Sequence, residues 1–254
     1  MTFEAYLLAA LAVFLTGISK SGFAGGLGIL GVPLVALTMP PQSAATLLLP
    51  VLLLIDIVSV WRFRASWKAR TIMALLPGAG IGIGLGMIGF SSLDPNLLKI
   101  GIGLLALWFV VRQVFGDKTV AGKHGRLGAV KIFIASLVSG FAGFVAHAGG
   151  PPIKGTFLSL GLGKSAFVGT NAMFFFILNL AKAGGYASLG LFSVSGLLSS
   201  AALVPFTLMG IWAGFALHDR VPQRLFVRVA FGLLALAGLN LLVFGGAGLL
   251  TGAV

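Results

Sequence analysis

The sequence predicts an all-α integral membrane protein of two homologous halves arranged as inverted repeats, with eight to ten hydrophobic segments in total. Composition is the first reason. Hydrophobic residues make up 58% of the 254-residue chain and charged residues only 9%, against about a quarter charged in an average soluble domain. Internal duplication is the second. Ser-Gly-Phe-Ala-Gly occurs at Ser21 to Gly25 and again at Ser139 to Gly143, and each copy leads to a glycine and a proline, at Pro33 and Pro151. The placement of basic residues is the third, because 17 Lys and Arg stand against 5 Asp and Glu and collect in short loops, as they do on a cytoplasmic membrane face.

The repeat extends well beyond the pentapeptide. Ser43-Ala44 returns as Ser165-Ala166, Pro77 with Gly82 and Gly86 as Pro205 with Gly210 and Gly214, and Gly103 to Leu107 reads identically at Gly232 to Leu236. The spacing between counterparts grows steadily along the chain, as loop insertions would make it. The organisation follows: a first membrane repeat over 1–115, a cytoplasmic linker over 116–128 suited to anionic lipid contact, and a second membrane repeat over 129–254.

Within each repeat, apolar length sets the spans, at about 20 residues per crossing. The N-terminal run carries Glu4 and no basic residue before its apolar stretch, so it lacks a signal peptide's positive start and reads as a retained first helix. Clear spans follow at 44–61, 71–90 and 97–115, and in the second half at 166–183, 190–217 and 223–248. The openings, 3–39 and 129–160, fit either one crossing or a Gly/Pro-broken hairpin of two short or re-entrant helices. A single crossing gives parallel halves and puts Arg220, Arg224 and Arg228 opposite Arg62, Arg64, Lys68 and Arg70, against the positive-inside bias. A hairpin gives inverted halves, places every basic loop in the cytoplasm and both termini outside, and is the favoured reading.

Chemistry narrows the function. Cysteine is absent, which removes disulfides and thiolate sites. No HExxH motif or set of paired acids is present, so an enzyme is not expected, and neither a metal nor a cofactor is implied. The basic excess belongs to membrane loops and calls for no nucleic acid. Glycine- and proline-broken hydrophobic segments at matching places in two halves point to a transporter's substrate site. Unwound backbone there offers free N–H groups and positive helix ends to an anion, while tight helix packing is the competing use of such glycines. Packing is the expected role of Gly80, Gly82, Gly84 and Gly86.

The two motifs, GFAGGLGILGVP and GFAGFVAHAGGPP, together with the paired GLLAL helices, resemble the sulfite exporter TauE/SafE family over nearly the whole chain. His147 and Ala148 stand where small residues are usual in that family. The resemblance implies carriage of sulfite or of sulfonates such as sulfoacetate across the bacterial cytoplasmic membrane, as export by alternating access. An anion channel, or a non-transporting membrane subunit of a larger complex, is the alternative. Expected partners are a small anionic substrate and membrane lipids, and a homo-oligomer stays open.

The expected substrate site gathers Lys20, Ser21, Gly22, Gly25 and Gly26 from the first motif and His147, Gly149, Gly150, Pro151 and Lys154 from the second. Thr170 and Asn171, opening the next helix, add donors for oxyanion oxygens. Ionisable groups in a membrane interior are costly and mark function by default, although a lysine can also snorkel to an interface, the reading given to Lys182. Asp56 lies inside PVLLLIDIVSVW with Asn179 as its counterpart. This pair is expected either to couple transport to an ion or to partner a basic residue.

Overall fold

The computed structural model describes residues 2–22, 28–115, 128–217 and 223–251, and these are helical with no strand among them. Helix α1 covers Phe3–Gly22 and leads, after residues outside the description, to a 3-10 turn at Gly28–Leu30 and a five-residue α2, Gly31–Val35. Then come α3 (Pro41–Arg62), α4 (Ala69–Ser92) and α5 (Pro95–Phe115). The second half repeats the plan with α6 (Ala129–Ala146), α7 (Gly150–Ser159), α8 (Lys164–Ser188), α9 (Val194–Ala202), α10 (Val204–Leu217) and α11 (Gln223–Thr251). Among the described residues eight segments are long and apolar enough to cross a bilayer, with α9 and α10 together making one of them.

Each opening is thus lopsided, where two short arms were expected. The first arm is a helix of 20 or 18 residues and only the second is short, 5 residues in α2 and 10 in α7. The segment expected as one span over 190–217 is divided at Leu203, one residue before Val204-Pro205. Proline lacks an N–H and cannot continue the ladder of the preceding turn. Its counterpart Pro77 sits inside a continuous α4, so the two halves differ here.

Packing crosses between the halves. Helix α1 runs alongside α10 in the same direction: the Tyr6 hydroxyl donates to Ala202 O near one end, and Ser21 Oγ donates to Ile211 O near the other. Helix α4 lies parallel to α6 in the equivalent way, with Gly78 against Ser136 and Gly86 against Phe144. The remaining counterparts oppose each other. In α5 and α11, Gly103 meets Gly238 while Gly248 meets Asn96, and in α3 and α8, Asp56 meets Asn179 while Phe63 meets Gly169. Both pairs are antiparallel.

The glycines of α4 divide by face. A side chain at Gly82 would collide with the backbone of Leu137 and Phe141, whereas nothing lies within 4 Å of a Cβ at Gly80 or Gly84. Small residues at every fourth position let two helix backbones approach closely in a medium where burial itself gives no drive. Packing therefore accounts for Gly82 and Gly86, with Gly78, and does not account for Gly80 and Gly84. Substituting Gly82→Val should lower the stability of the purified protein by about 1 to 3 kcal/mol through overpacking. Gly84→Ala should be neutral or stabilising by up to about 1 kcal/mol, since it only improves helix propensity; thermal unfolding in detergent compares the two.

Candidate functional site

Where the two openings approach α3 and α8, charged and polar groups collect deep inside the helical body. Asp56, one turn and a half from the end of α3, is 1% exposed. Lys20 Nζ, from the last turn of α1, donates to its Oδ1 at 2.5 Å, and Asn179 Nδ2 of α8 donates to its Oδ2. Both carboxylate oxygens are thereby used. Lys20 also lies 6.0 Å from the centre of the Phe175 ring, within reach of a cation–π attraction. The acid of one half is held by its own counterpart amide from the other.

A second cluster faces the first. Lys182 lies one turn beyond Asn179 on α8, is 3% exposed, and donates to Gly143 O at 2.9 Å and to His147 Nδ1 at 2.8 Å. His147 Nε2 sits 2.9 Å from Ala45 O. A carbonyl can only accept, so the proton is assigned to Nε2 and the Nδ1 lone pair receives the lysine. His147 Nδ1 also lies 3.3 Å from Gly143 O. His147 follows the last residue of α6 with φ 52°, and Ala148 N–H closes back on Ala142 O at 3.0 Å. This is the geometry of a Schellman ending, usually given to glycine; the left-handed conformation is strained for a residue with a side chain.

Closure of the α6/α7 turn requires another glycine. A Cβ at Gly149 would stand 2.6 Å from Ser139 O, and Ser139 Oγ donates to Gly149 O at 2.7 Å. Gly149 and Gly150 can therefore line a cavity of about 30 Å³ together with Lys20, His147, Asn171, Asn179 and Lys182, space for a water molecule or so. Asn171 makes no hydrogen bond among the described residues and leaves its amide to this cavity. Tyr186 donates to Phe144 O at 2.5 Å, stacks on Phe90 and lies 6.4 Å from the His147 ring, centre to centre.

Several expected site residues lie elsewhere. Ser21 donates to Gly17 O and Ile211 O and ties α1 to α10. Thr170 Oγ1 accepts from Lys68 N at 3.0 Å and anchors the loop after α3. Pro151 fixes the first turn of α7 without lining the cavity. Since Pro151 and Pro152 carry no N–H, Gly150 is the only one of the first three residues of α7 that can offer one. The expected cradle of backbone donors is smaller than an ordinary half-helix would give. Lys154 is half-buried on α7 and does not line the cavity. Gly22 ends α1, and Gly25 and Gly26 lie outside the described residues.

Lys182 is the residue that sequence reasoning assigned wrongly. The apolar span was taken to end near it, which invited snorkelling, but α8 continues to Ser188 and keeps the ammonium inside. The usable signal was its spacing of three from Asn179, which puts both on one helix face.

Eight apolar helices among the described residues, around a small site lined from both halves of the chain but mostly from the second, have the architecture of a multi-pass membrane transporter. The chain belongs to the sulfite exporter TauE/SafE family, whose model matches residues 9–241. That is a family of membrane transporters of sulfite-type anions. No curated protein and no solved structure matches the chain.

Removing either partner of the buried ion pair strands the other. Lys20→Met or Asp56→Leu alone should each cost about 3 to 5 kcal/mol of stability. The double variant should cost clearly less than the sum of the two. Thermal unfolding of the three proteins in detergent measures this cycle, and strict additivity would show that the pair contributes no coupling.

Proposed function

We propose that the protein is a secondary transporter that carries small sulfur-containing anions, sulfite and sulfonates such as sulfoacetate, outward across the bacterial cytoplasmic membrane by alternating access. One observation carries this reading: the part-buried Lys20, the buried Lys182 and the amides of Asn171 and Asn179 border one cavity where both broken openings converge. Ionisable groups inside a membrane body line substrate pathways, and carriers place their sites between repeats.

The repeats, 1–115 and 129–254 joined by the linker 116–128, are proposed to be inverted. Spanning helices linked by short loops alternate in direction. Combined with the antiparallel pairs α3/α8 and α5/α11 and the parallel pairs α1/α10 and α4/α6, alternation points α1, α3, α5 and α10 one way and α4, α6, α8 and α11 the other. Arg62, Arg64 and Lys68, then Arg112, then Arg220 and Arg224 follow the ends of α3, α5 and α10. All three groups fall on one face, the cytoplasmic one by the positive-inside bias. Because α1 and α3 share a direction, as do α6 and α8, the segments holding α2 and α7 carry the chain back across between them.

In the cycle, the anion meets the central cations from the cytoplasmic side. One half then rocks against the other and opens a path on the opposite face. There a cavity of about 310 Å³ lies between α3 and α9, lined by the hydroxyls of Ser43, Thr46, Ser193, Ser195 and Ser199. The hydrogen bonds from His147 to Ala45 O and from Ser200 Oγ to Leu47 O, the latter 2.7 Å, separate it from the centre. Outward movement of an anion gains about 2.3 kcal/mol per charge per 100 mV of inside-negative potential, so export needs no coupled ion. Uptake would, and Asp56 with Asn179 is the group placed to carry one.

Counterflow into proteoliposomes holding the purified chain tests the proposal. Vesicles preloaded with sulfite or a C2 sulfonate should show trans-stimulated uptake of the same class, and vesicles preloaded with a carboxylate of similar size should not. Rapid flux without trans-stimulation would mean a channel, and absence of flux with every sulfur anion would sink the assignment. Lys20→Met should reduce exchange at least tenfold, while Lys154→Ala, away from the cavity, should leave it within about twofold of wild type.

A further inference from the structure

We propose that the loop between α3 and α4 is the cytoplasmic port of the transporter, where Arg64 and Lys68 capture the sulfur oxyanion on its way to the central cavity, with Thr170 as the residue that positions them. This rests on the reading of the chain as an exporter of sulfur anions with the ends of α3, α5 and α10 in the cytoplasm, and it assigns the entrance of that exporter.

The two halves close on one another at equivalent places. Asn179 bonds Asp56 across an offset of 123 residues, and the same offset pairs Thr170 of α8 with Leu47 of α3. Each of these ties down the stretch that follows the opposite helix. Ser200 Oγ, in the stretch after α8, donates to Leu47 O at 2.7 Å, and Lys68 N, in the loop after α3, donates to Thr170 Oγ1 at 3.0 Å. By the directions of α3 and α8 the first closure faces outward. The second faces the cytoplasm.

Their shape and chemistry differ. The outer closure borders the cavity of about 310 Å³, and its stretch from Leu191 to Ser200 carries hydroxyls and no charge. At the cytoplasmic closure the loop lies directly on the helix: a Cβ at Gly169 would stand 3.1 Å from Phe63 O and 3.2 Å from Trp67 N. That loop exposes Arg64 and Lys68, with Arg62 and Arg70 exposed on either side. No acidic residue occurs between Asp56 and Asp94, and among the described residues no carboxylate pairs with any of the four. The Arg64 guanidinium instead rests 5.6 Å from the Trp61 ring, and that of Arg62 lies 5.8 Å from the Phe63 ring.

Position joins this charge to the cavity. Asn171 directly follows the anchor Thr170 on α8 and borders the cavity with Asn179 and Lys182. The same helix thus leads from the basic loop to the centre. Basic groups at the mouth of a low-dielectric passage concentrate anions and speed their entry, whether the anion carries one charge or two. The outer mouth has only hydroxyls, holds an anion more weakly and lets it leave.

Initial uptake of radiolabelled sulfite, or of sulfoacetate where counterflow selects it, tests the port in everted membrane vesicles, which present the cytoplasmic face, and in right-side-out vesicles. Replacing both residues, Arg64→Gln with Lys68→Gln, should raise the half-saturating concentration about fivefold in everted vesicles and leave it within about twofold in right-side-out ones, without lowering the maximal rate from the cytoplasmic face. In wild type that concentration should rise with added salt, which screens exposed charges, and in the double variant it should respond less. Thr170→Val, which unties the loop, should reproduce the defect, whereas Thr170→Ser should keep the wild-type value. Proteoliposomes of neutral phosphatidylcholine should show the same defect in the double variant. A defect that needs anionic lipid would assign the two residues to lipid headgroups, and values unchanged, or raised equally on both faces, would leave them no part in capture; each of these overturns the port and spares the carrier. Wild-type vesicles that move no sulfur anion would overturn the carrier reading and the port with it.

Discussion

The carboxylate of Asp56 is the constraint on which the rest of the centre depends. It is buried in an apolar helix, and its two oxygens are satisfied from two different directions, by α1 of its own half and by α8 of the other. A buried charge is tolerable only when paired and hydrogen-bonded. The positions of α1, α3 and α8 are therefore fixed relative to one another by one side chain. Once α1 and α8 are held there, Lys182 is carried into the interior beside His147, and the small cavity between the two clusters follows.

Most of the architecture was legible in the sequence because the bilayer imposes it. A crossing demands length and apolarity, so the six clear spans were visible, and duplication showed as ordered matches such as Gly103 to Leu107 with Gly232 to Leu236. What was not legible depends on small differences in backbone continuity. Pro77 and Pro205 occupy equivalent places, yet one rides within a continuous helix and the other follows a division. No pattern of residue types near either proline separates the two outcomes. The short second arms were half legible: their glycines announce a break without saying which arm shortens.

The site shows the same division. Lys20, His147 and Asn171, singled out beside the motifs, line one cavity with Asn179, singled out as the counterpart of Asp56, and Asp56 finds a basic partner. Ser21 and Thr170 bear the right chemistry but turn it to helix packing and loop anchoring, since on a helix a side chain's neighbour is set by its angular position and not by closeness to a motif. Lys182 was misread for a related reason: the edge of an apolar run was taken for the edge of a helix.

The pairing of each opening helix with the late span of the opposite half also bears on how the molecule is made. Helix α1 precedes α10 by most of the chain, and the Tyr6 hydroxyl finds its acceptor 196 residues further along, at Ala202. Until α10 is made α1 lacks the neighbour on its α10 face, and until Asn179 is made Asp56 lacks the partner of its second oxygen. Assembly cannot be finished half by half, and the central polar cluster is complete only once Asn171, Asn179 and Lys182, in the final third of the chain, are in place.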